Sequence, residues 1–343
     1  MTVKARATTD PAWAEFVSRH PQATIFHHPA WASLLAECYG YRPFVLASLD
    51  ARGEIDAGMP FMEVDSPLTG HRWVSLPFSD FCTPLCRDPM ALNALVEYLV
   101  CQNRQRAIPR VEIHAALPGG DRVFHATSFV WSRVKLSASP DATLKACDKT
   151  RVREPVRAAA RRGVEVHQCT GKSGLYTFYD MLAETHRRLG APVQPQRFFS
   201  LVWDRLIERG LGFLLLAYKD GTPIAGTLYL HYGGMLTAKY NASRLEFWGL
   251  RPNHLVYWSG IKWGCENGYR YFDFGRTEID NQNLRDFKQG WGAEEEPLPY
   301  ATISDRKPKL SSGRSREIIS IVIRRSPRFV CRALGEILYG HYA

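Results

Sequence analysis

A hairpin written twice constrains this chain more than any other feature. Residues 44–61 begin with the apolar run Phe44-Val-Leu-Ala-Ser-Leu49, turn through Asp50-Ala-Arg-Gly53, and continue into a strand that opens Ile55-Asp-Ala-Gly58. Residues 213–230 repeat that order: Phe213-Leu-Leu-Leu-Ala-Tyr218, a turn at Lys219-Asp-Gly221, and a strand opening Ile224-Ala-Gly226. Apolar runs joined by a glycine turn mark antiparallel strand pairs, and self-similarity at a distance marks a duplicated unit. The flanks repeat as well. Helical patterns at 11–19 and 29–39 precede the first hairpin, and 174–189 and 196–209 precede the second. Pro29 and Pro195 stand at helix starts, while Gly40, Gly190 and Gly210 mark helix ends. After each hairpin come a strand, a helix and a strand: 71–77, 89–106 and 110–115, then 235–241, 252–267 and 269–274. The helix at 252–267 is the best signalled, with Pro252 in its first turn, a stripe of Leu255, Trp258, Ile261, Lys262 and Cys265, and Gly268 to close it.

The shared order of helices, β meander, helix and strand is that of the GNAT acyltransferase fold. The expected class is therefore α/β (α+β), with two tandem GNAT-like units at 1–144 and 166–305. A basic connecting segment, 145–165, is expected to form a linker helix, and 306–343 a basic helical tail interrupted at Pro327. The 343 residues suit two domains at about 150 residues each. An apolar content of 45% with 12% aromatics excludes a disordered chain. No window approaches the roughly 18 apolar residues of a membrane span, and the start, Met1-Thr-Val-Lys-Ala-Arg-Ala7, lacks the apolar core of a secretory signal. Of eight cysteines only Cys82 and Cys86 are close, in neither zinc-binding nor redox spacing, so reduced thiols in the cytoplasm are expected.

The net charge is +10, and two segments carry it. Residues 145–162 hold seven basic residues against Asp148 and Glu154, and residues 306–343 hold nine against Glu317 and Glu336. Localised positive charge points to a polyanion such as nucleotide phosphates, RNA or an acidic membrane surface. Arg151, Arg153, Arg157, Arg161 and Arg162 are the polyanion-binding candidates; the plainer reading is a solvated helix face. In the tail, Ile318, Ile319 and Val322, then Val330, Leu334, Ile337 and Leu338, form apolar stripes beside arginines. That pattern suits the anionic inner face of a membrane, or else a helix packed across the two units.

An acyl-CoA enzyme of this fold needs a glycine-rich turn before its next helix, so that main-chain N–H groups face the pyrophosphate. Here that connection, Ser243 to His254, has the single glycine Gly249, and Pro252 removes a donor. Two other stretches carry chemistry. Tyr271-Phe-Asp-Phe-Gly-Arg-Thr277 reads as a strand ending at Asp273 with Gly275 and Arg276 following, a carboxylate and a guanidinium at a strand's carboxyl end. Phe287-Lys288-x-Gly290-x-Gly292 reads as a glycine-softened loop with one lysine able to offset negative charge; an ordinary connection with a surface lysine is the plainer reading. His27 and His28 are adjacent, point apart and have no carboxylate at ligand spacing, so no metal is expected. His114, His167, His186 and His254 are isolated. No nucleophile elbow, Walker A loop or dinucleotide fingerprint occurs.

These stretches in this order resemble the FemAB-type aminoacyltransferases (FemABX family) of the GNAT superfamily, most of all the subgroup associated with exosortase and PEP-CTERM loci. The matching residues are Pro29-Ala-Trp31, Leu76-Pro-Phe-Ser-Asp80, Lys149-x-Arg-x-Arg153 with Arg157 and Arg161-Arg-Gly163, Tyr240-Asn-Ala-Ser243, Arg251-Pro-Asn253, Tyr271-Phe-Asp-Phe-Gly275, Phe287-Lys-x-Gly-Trp-Gly292 and the tail around Leu334–Tyr339. The resemblance implies transfer of an amino acid from aminoacyl-tRNA, a co-substrate rather than a cofactor, to an amine: a peptidoglycan precursor, nucleotide- or lipid-linked, an amino sugar or another envelope metabolite. It implies Lys288, Asp273 and Asp80 as catalytic candidates, and Phe287, Arg276, Tyr240, Asn253, Arg251 and Gly290 as substrate-binding ones. Leu34 and Leu35 stand where muropeptide-binding relatives carry a lysine, so the acceptor stays open. Two alternatives are an acetyl-CoA- or acyl-CoA-dependent N-acyltransferase and a non-catalytic ligand- or RNA-binding protein. Two units in one chain fit a monomer.

Overall fold

The computed structural model describes residues 2–105, 107–308 and 313–341. In chain order the elements are β1 (Thr2–Arg6), α1 (Pro11–Arg19), α2 (Pro29–Tyr39), β2 (Arg42–Leu49), β3 (Ile55–Ser66), β4 (Gly70–Val74), β5 (Leu85–Cys86), α3 (Pro89–Arg104), β6 (Arg110–Ile113) and β7 (Val123–Lys135). Then follow α4 (Pro140–Ala146), a π-helical turn at Lys149–Arg153, α5 (Glu154–Arg161), β8 (Val164–Gln168), α6 (Lys172–Leu189), α7 (Gln196–Val202) and a π-helical turn at Trp203–Ile207. The chain continues through β9 (Gly212–Lys219), β10 (Thr222–Tyr232), β11 (Met235–Ser243), a 3-10 turn at Leu245–Leu250, α8 (Pro252–Glu266), β12 (Tyr271–Glu278), α9 (Gln282–Gly290), β13 (Glu294–Ser304), α10 (Gly313–Arg325) and α11 (Arg328–Leu338).

The chain divides into two compact units. Unit 1 holds residues 1–129, 297–311 and 339–343; unit 2 holds 130–296 and 312–338. The break falls inside β7, not at 144 as the sequence reading places it. The basic segment at 145–165 belongs to unit 2 and is no separate connector. The later part of β13 pairs with β6, Ala301 opposite Ile113 and Ile303 opposite Val111, and so joins unit 1.

Both expected hairpins form. In unit 1, β2 and β3 are antiparallel with Phe44 opposite Phe61; in unit 2, β9 and β10 are antiparallel with Leu214 opposite Leu228. The inward residues of unit 1, among them Leu46, Met59, Phe61, Leu95, Leu99 and Ile303, form one core with α3. Those of unit 2, among them Phe213, Tyr229, Phe272, Val256 and Ile261, form another with α8.

Three local readings change. The strand expected at 71–77 ends at Val74, because Leu76 and Phe78 take left-handed φ values of 51° and 62°. The strand expected to end at 274 runs to Glu278. The loop expected at 287–292 is helical up to Gly290: Asn281 caps α9 by accepting the Leu284 N–H at 3.2 Å.

The feature that matters most for chemistry is a parting of parallel strands. β11 and β12 are paired only from Met235 opposite Tyr271 to Thr237 opposite Asp273. Beyond that register β11 continues to Ser243 and β12 to Glu278, each without the other. In unit 1, β4 and β6 are likewise paired only at Trp73 with Val111 and Val74 with Glu112.

Candidate active site

Asp273 occupies the last paired position before β11 and β12 part, and it is fully buried. Its Oδ1 accepts from Trp131 Nε1 at 2.7 Å and from the Gly275 main-chain N–H at 2.7 Å; its Oδ2 accepts from the Thr237 hydroxyl at 3.1 Å. A buried carboxylate needs such donors, and these come from β7, β12 and β11. Gly275 has a φ of 71°, which a side chain disfavours; that turn brings its N–H back onto the carboxylate two residues earlier.

Lys288 is the other buried charge here. From the last turn of α9 its Nζ donates to the Gly275 carbonyl at 2.7 Å and lies 3.4 Å from that of Arg276. One peptide segment of β12 is therefore held on its N–H side by Asp273 and on its C=O side by Lys288. Arg276 is exposed at the next position of the strand. Phe287 is half-buried among Tyr257, Phe274 and Trp291. Gly290 lies against Arg151 and Val152, and its carbonyl accepts the Asp148 N–H at 2.8 Å.

The end of β11 and the start of α8 are tied together by side chains. Asn253 donates to Ser243 Oγ at 3.1 Å and accepts from Asn241, which also donates to Thr227 Oγ1 at 2.8 Å. Tyr240 donates its hydroxyl to Gln194 Oε1 at 2.5 Å and stands edge-on to Phe198 and Phe199. Arg251 precedes Pro252 in a left-handed conformation, φ 61°. His254 follows; burial, reinforced by the nearby Arg251 charge, lowers its pKa to about 4 against the hydrogen bond to the Arg151 carbonyl.

A groove of about 650 Å³ runs beside this helix start. Arg157, Arg161 and Arg162 of α5 and its flank line it together with Arg251, and Glu154 is the one carboxylate in its lining. Arg162 donates to the Gly249 carbonyl at 2.5 Å. Of the five arginines singled out in the sequence, three meet in this groove. Arg151 instead reaches the Asp286 carbonyl at 3.3 Å, and Arg153 is half-buried on the π-helical turn.

Asp80 is in unit 1, half-buried, at the end of the segment strained at Leu76 and Phe78. Non-glycine residues in that conformation cost about 1–2 kcal/mol each and persist where surrounding structure holds them. Here Ser79 donates to the Leu76 carbonyl at 2.6 Å and lies 3.2 Å from His114 Nδ1; His114 stacks on Tyr300, whose hydroxyl donates to the Asp80 carbonyl at 2.5 Å. The sequence reading did not single out Trp131, Thr237, Gln194 or His114 as partners of its candidates, because each lies far away in the chain. Among the described residues no cluster of histidine, cysteine and carboxylate suits a metal ion. His27 is buried between Thr24 and the Thr83 carbonyl, and His28 caps α2.

Residues 148–289 match the family model described as acetyltransferase (GNAT) domain. The curated lipid II:glycine glycyltransferase of Staphylococcus aureus is 28% identical over 126 residues, covering 32% of this chain and 30% of that protein. The match thus spans about a third of this chain and less than a third of the relative. Among solved structures, FemX aligns over 88% of this chain and 97% of its own with a TM-score of 0.69 at 18% identity. A tandem GNAT protein of the clavulanic acid biosynthesis pathway aligns over 90% and 100%, with a TM-score of 0.53 at 11% identity. The chain therefore shares its fold with FemX and with a tandem GNAT protein, as the resemblance implies.

Proposed function

We propose that this chain is an acyltransferase that forms an amide bond, moving an amino acid from aminoacyl-tRNA to an amine. The observation that carries this is the arginine-lined groove at the start of α8. At the place where an acyl-CoA enzyme of this fold sets a glycine-rich cradle, this chain has a 3-10 turn, Arg251 and Pro252, and four arginines face one groove. A surface of that charge suits several successive phosphates better than one pyrophosphate. The likeness to a glycyltransferase that acts on lipid II favours the same class of reaction.

The donor ester is already activated, so no covalent enzyme intermediate is needed. The amine nitrogen attacks the ester carbonyl carbon, and the carbonyl electron pair moves onto oxygen. Collapse then breaks the bond to the ribose oxygen, which takes up a proton, while the nitrogen loses one. The protein's tasks are positioning and charge stabilisation. Lys288 supplies positive charge beside the parted strands. Asp273 is a positioning residue that holds β7, β11 and β12 in place around it. Arg276, Phe287, Tyr240 and Asn253 orient the reactants, and Asp80 with its strained segment is assigned to the acceptor. The acceptor is an envelope amine such as a peptidoglycan precursor or an amino sugar, reached from the inner face of the membrane.

The test is single-turnover transfer of labelled amino acids from a mixture of charged tRNAs to candidate amines, with acetyl-CoA as the parallel donor. Transfer from charged tRNA alone is expected. Lys288→Met should slow it by about 100-fold, the scale of removing one charge-stabilising group, with tRNA binding unchanged. Transfer from acetyl-CoA alone would replace this reading with the acyl-CoA one. An unchanged rate in Lys288→Met would remove Lys288 from the mechanism.

A further inference from the structure

We infer that the outward face of α10 and α11 is a docking surface for an anionic lipid bilayer. The inference deepens the membrane-face placement in the proposed function and is independent of the donor.

Contacts within unit 2 settle which face of these helices points inward. Ile323 and Cys331 are fully buried, and Cys331 Sγ lies 3.3 Å from the Ala191 carbonyl. Gly335 lies so close to Val193 that a Cβ there would sit 1.7 Å from the Val193 carbonyl oxygen. Arg324 donates to the Leu189 carbonyl at 3.2 Å, and Arg332 pairs with Asp180 over the Tyr179 ring.

The opposite face is apolar and exposed. Phe329 is 69% exposed, Ile337 60%, Ile321 46% and Val322 45%. Phe329, exposed Ala333 and Ile337 follow one another at four-residue spacing, which places them in one stripe along α11. Exposed Arg325 closes α10 beside Ile321 and Val322. Residues 313–338 carry Arg314, Arg316, Arg324, Arg325, Arg328 and Arg332 against Glu317 and Glu336. Lys309 and the side chains of Arg314, Arg316, Ile318 and Arg328 lie outside the described residues, so they enter only through this charge.

An apolar stripe on a segment of net positive charge suits lipid for two reasons. A two-fold pairing of this face with itself would set positive charge against positive charge. An anionic surface offers apolar depth to the stripe and negative charge to the arginines together. At 13 and 11 residues the two helices are too short to span, and among the described residues no helix is long and apolar enough to cross a membrane. The surface therefore lies on the bilayer.

The experiment is flotation of the full chain with phosphatidylglycerol-containing vesicles and with pure phosphatidylcholine vesicles, without tRNA or amine. Transfer activity and vesicle binding then fail separately. Binding to the anionic vesicles that falls with added salt is expected. Phe329→Glu with Ile337→Glu should reduce it by at least about tenfold, and Arg325→Glu severalfold. Met90→Glu, which replaces a residue equally exposed in unit 1, should leave it unchanged. Equal binding to both vesicle types, no binding by the unaltered chain, or full binding by the double variant would overturn the inference. If the double variant does not fold, full binding by Arg325→Glu does so. Self-association abolished by the double variant, without vesicle binding, would instead assign the face to a second copy.

Discussion

His27 accepts the Thr24 main-chain N–H on Nδ1 at 3.0 Å, and its Nε2 lies 2.8 Å from the Thr83 carbonyl. A neutral ring with its proton on Nε2 satisfies both partners; a second proton on Nδ1 would face an N–H donor. Burial is the larger cause that lowers its pKa to about 4, against the raising effect of the Thr83 hydrogen bond. Burial lowers His231 and His254 to about 4 as well. In the unfolded chain these rings titrate near 6.5. Between about pH 6.5 and 4 the unfolded state therefore binds more protons than the folded one, so stability rises with pH across that window. The contribution is whole above about 6.5 and is lost as pH falls towards 4. Melting temperatures measured from pH 7 to 4.5 should fall steadily, and His27→Gln should melt lower at pH 7 yet show a shallower decline. A flat profile for the unaltered chain, or an unchanged slope in the variant, would contradict the assignment.

Elements are held in register by close approaches that the sequence marks only as glycines. In α8, Gly260 faces the buried ring of Tyr229 on β10, and a Cβ there would lie 2.5 Å from Tyr229 Cζ. The ring cannot retreat, because its hydroxyl donates to the Val256 carbonyl at 3.0 Å. Gly260→Ala should destabilise the protein by about 1–3 kcal/mol, the usual cost of overpacking a core. In denaturant titrations Tyr229→Leu should recover part of that loss in the double variant; purely additive losses would show that the two do not meet. The hairpins and α8 were legible because period, turn glycines and capping residues all agreed there. The stretch 287–292 misled because Gly290 and Gly292 read as loop signals, while the deciding residue, the Asn281 cap, stands well before them. β12 misled at Gly275, a left-handed residue kept inside a strand by the Asp273 carboxylate. That carboxylate's partners Trp131 and Thr237 lie on other strands, and spacing along one strand cannot reveal them. Arg157 and Arg161, four apart on α5, were legible as one face. Arg151 and Arg153 were not separable from them by spacing, since the π-helical turn changes the phase of the helix between them.

On the scale of the whole molecule, the net charge of +10 rests on two basic segments that sequence alone treats alike. Both fall largely in unit 2, yet their surroundings differ. The α5 arginines line a groove whose other polar lining is Thr150, Glu154 and the Gly249 main chain. Exposed Arg325 of α10 sits one turn from exposed Ile321 and Val322, with exposed Phe329 following on α11. A polar groove suits a hydrated phosphate chain, and an apolar stripe suits a surface with depth, so the two segments should separate by ligand. Salt titration can read this, because binding falls with salt in proportion to the phosphates neutralised, by about 0.7 in log–log slope per phosphate on single-stranded nucleic acid and about 0.9 on duplex. Arg157→Ala with Arg161→Ala should weaken tRNA binding and make its slope shallower by about 1–2, equally for charged and uncharged tRNA, since phosphates do not report the amino acid. Arg162 is left in place in this variant because it also holds the 3-10 turn at Gly249. Arg325→Ala, a charge removed from the other surface, should leave the tRNA slope where it was. If the tail variant lowers that slope as much as the groove variant does, the RNA reads the chain's overall charge, and the groove loses its assignment as the donor's phosphate site.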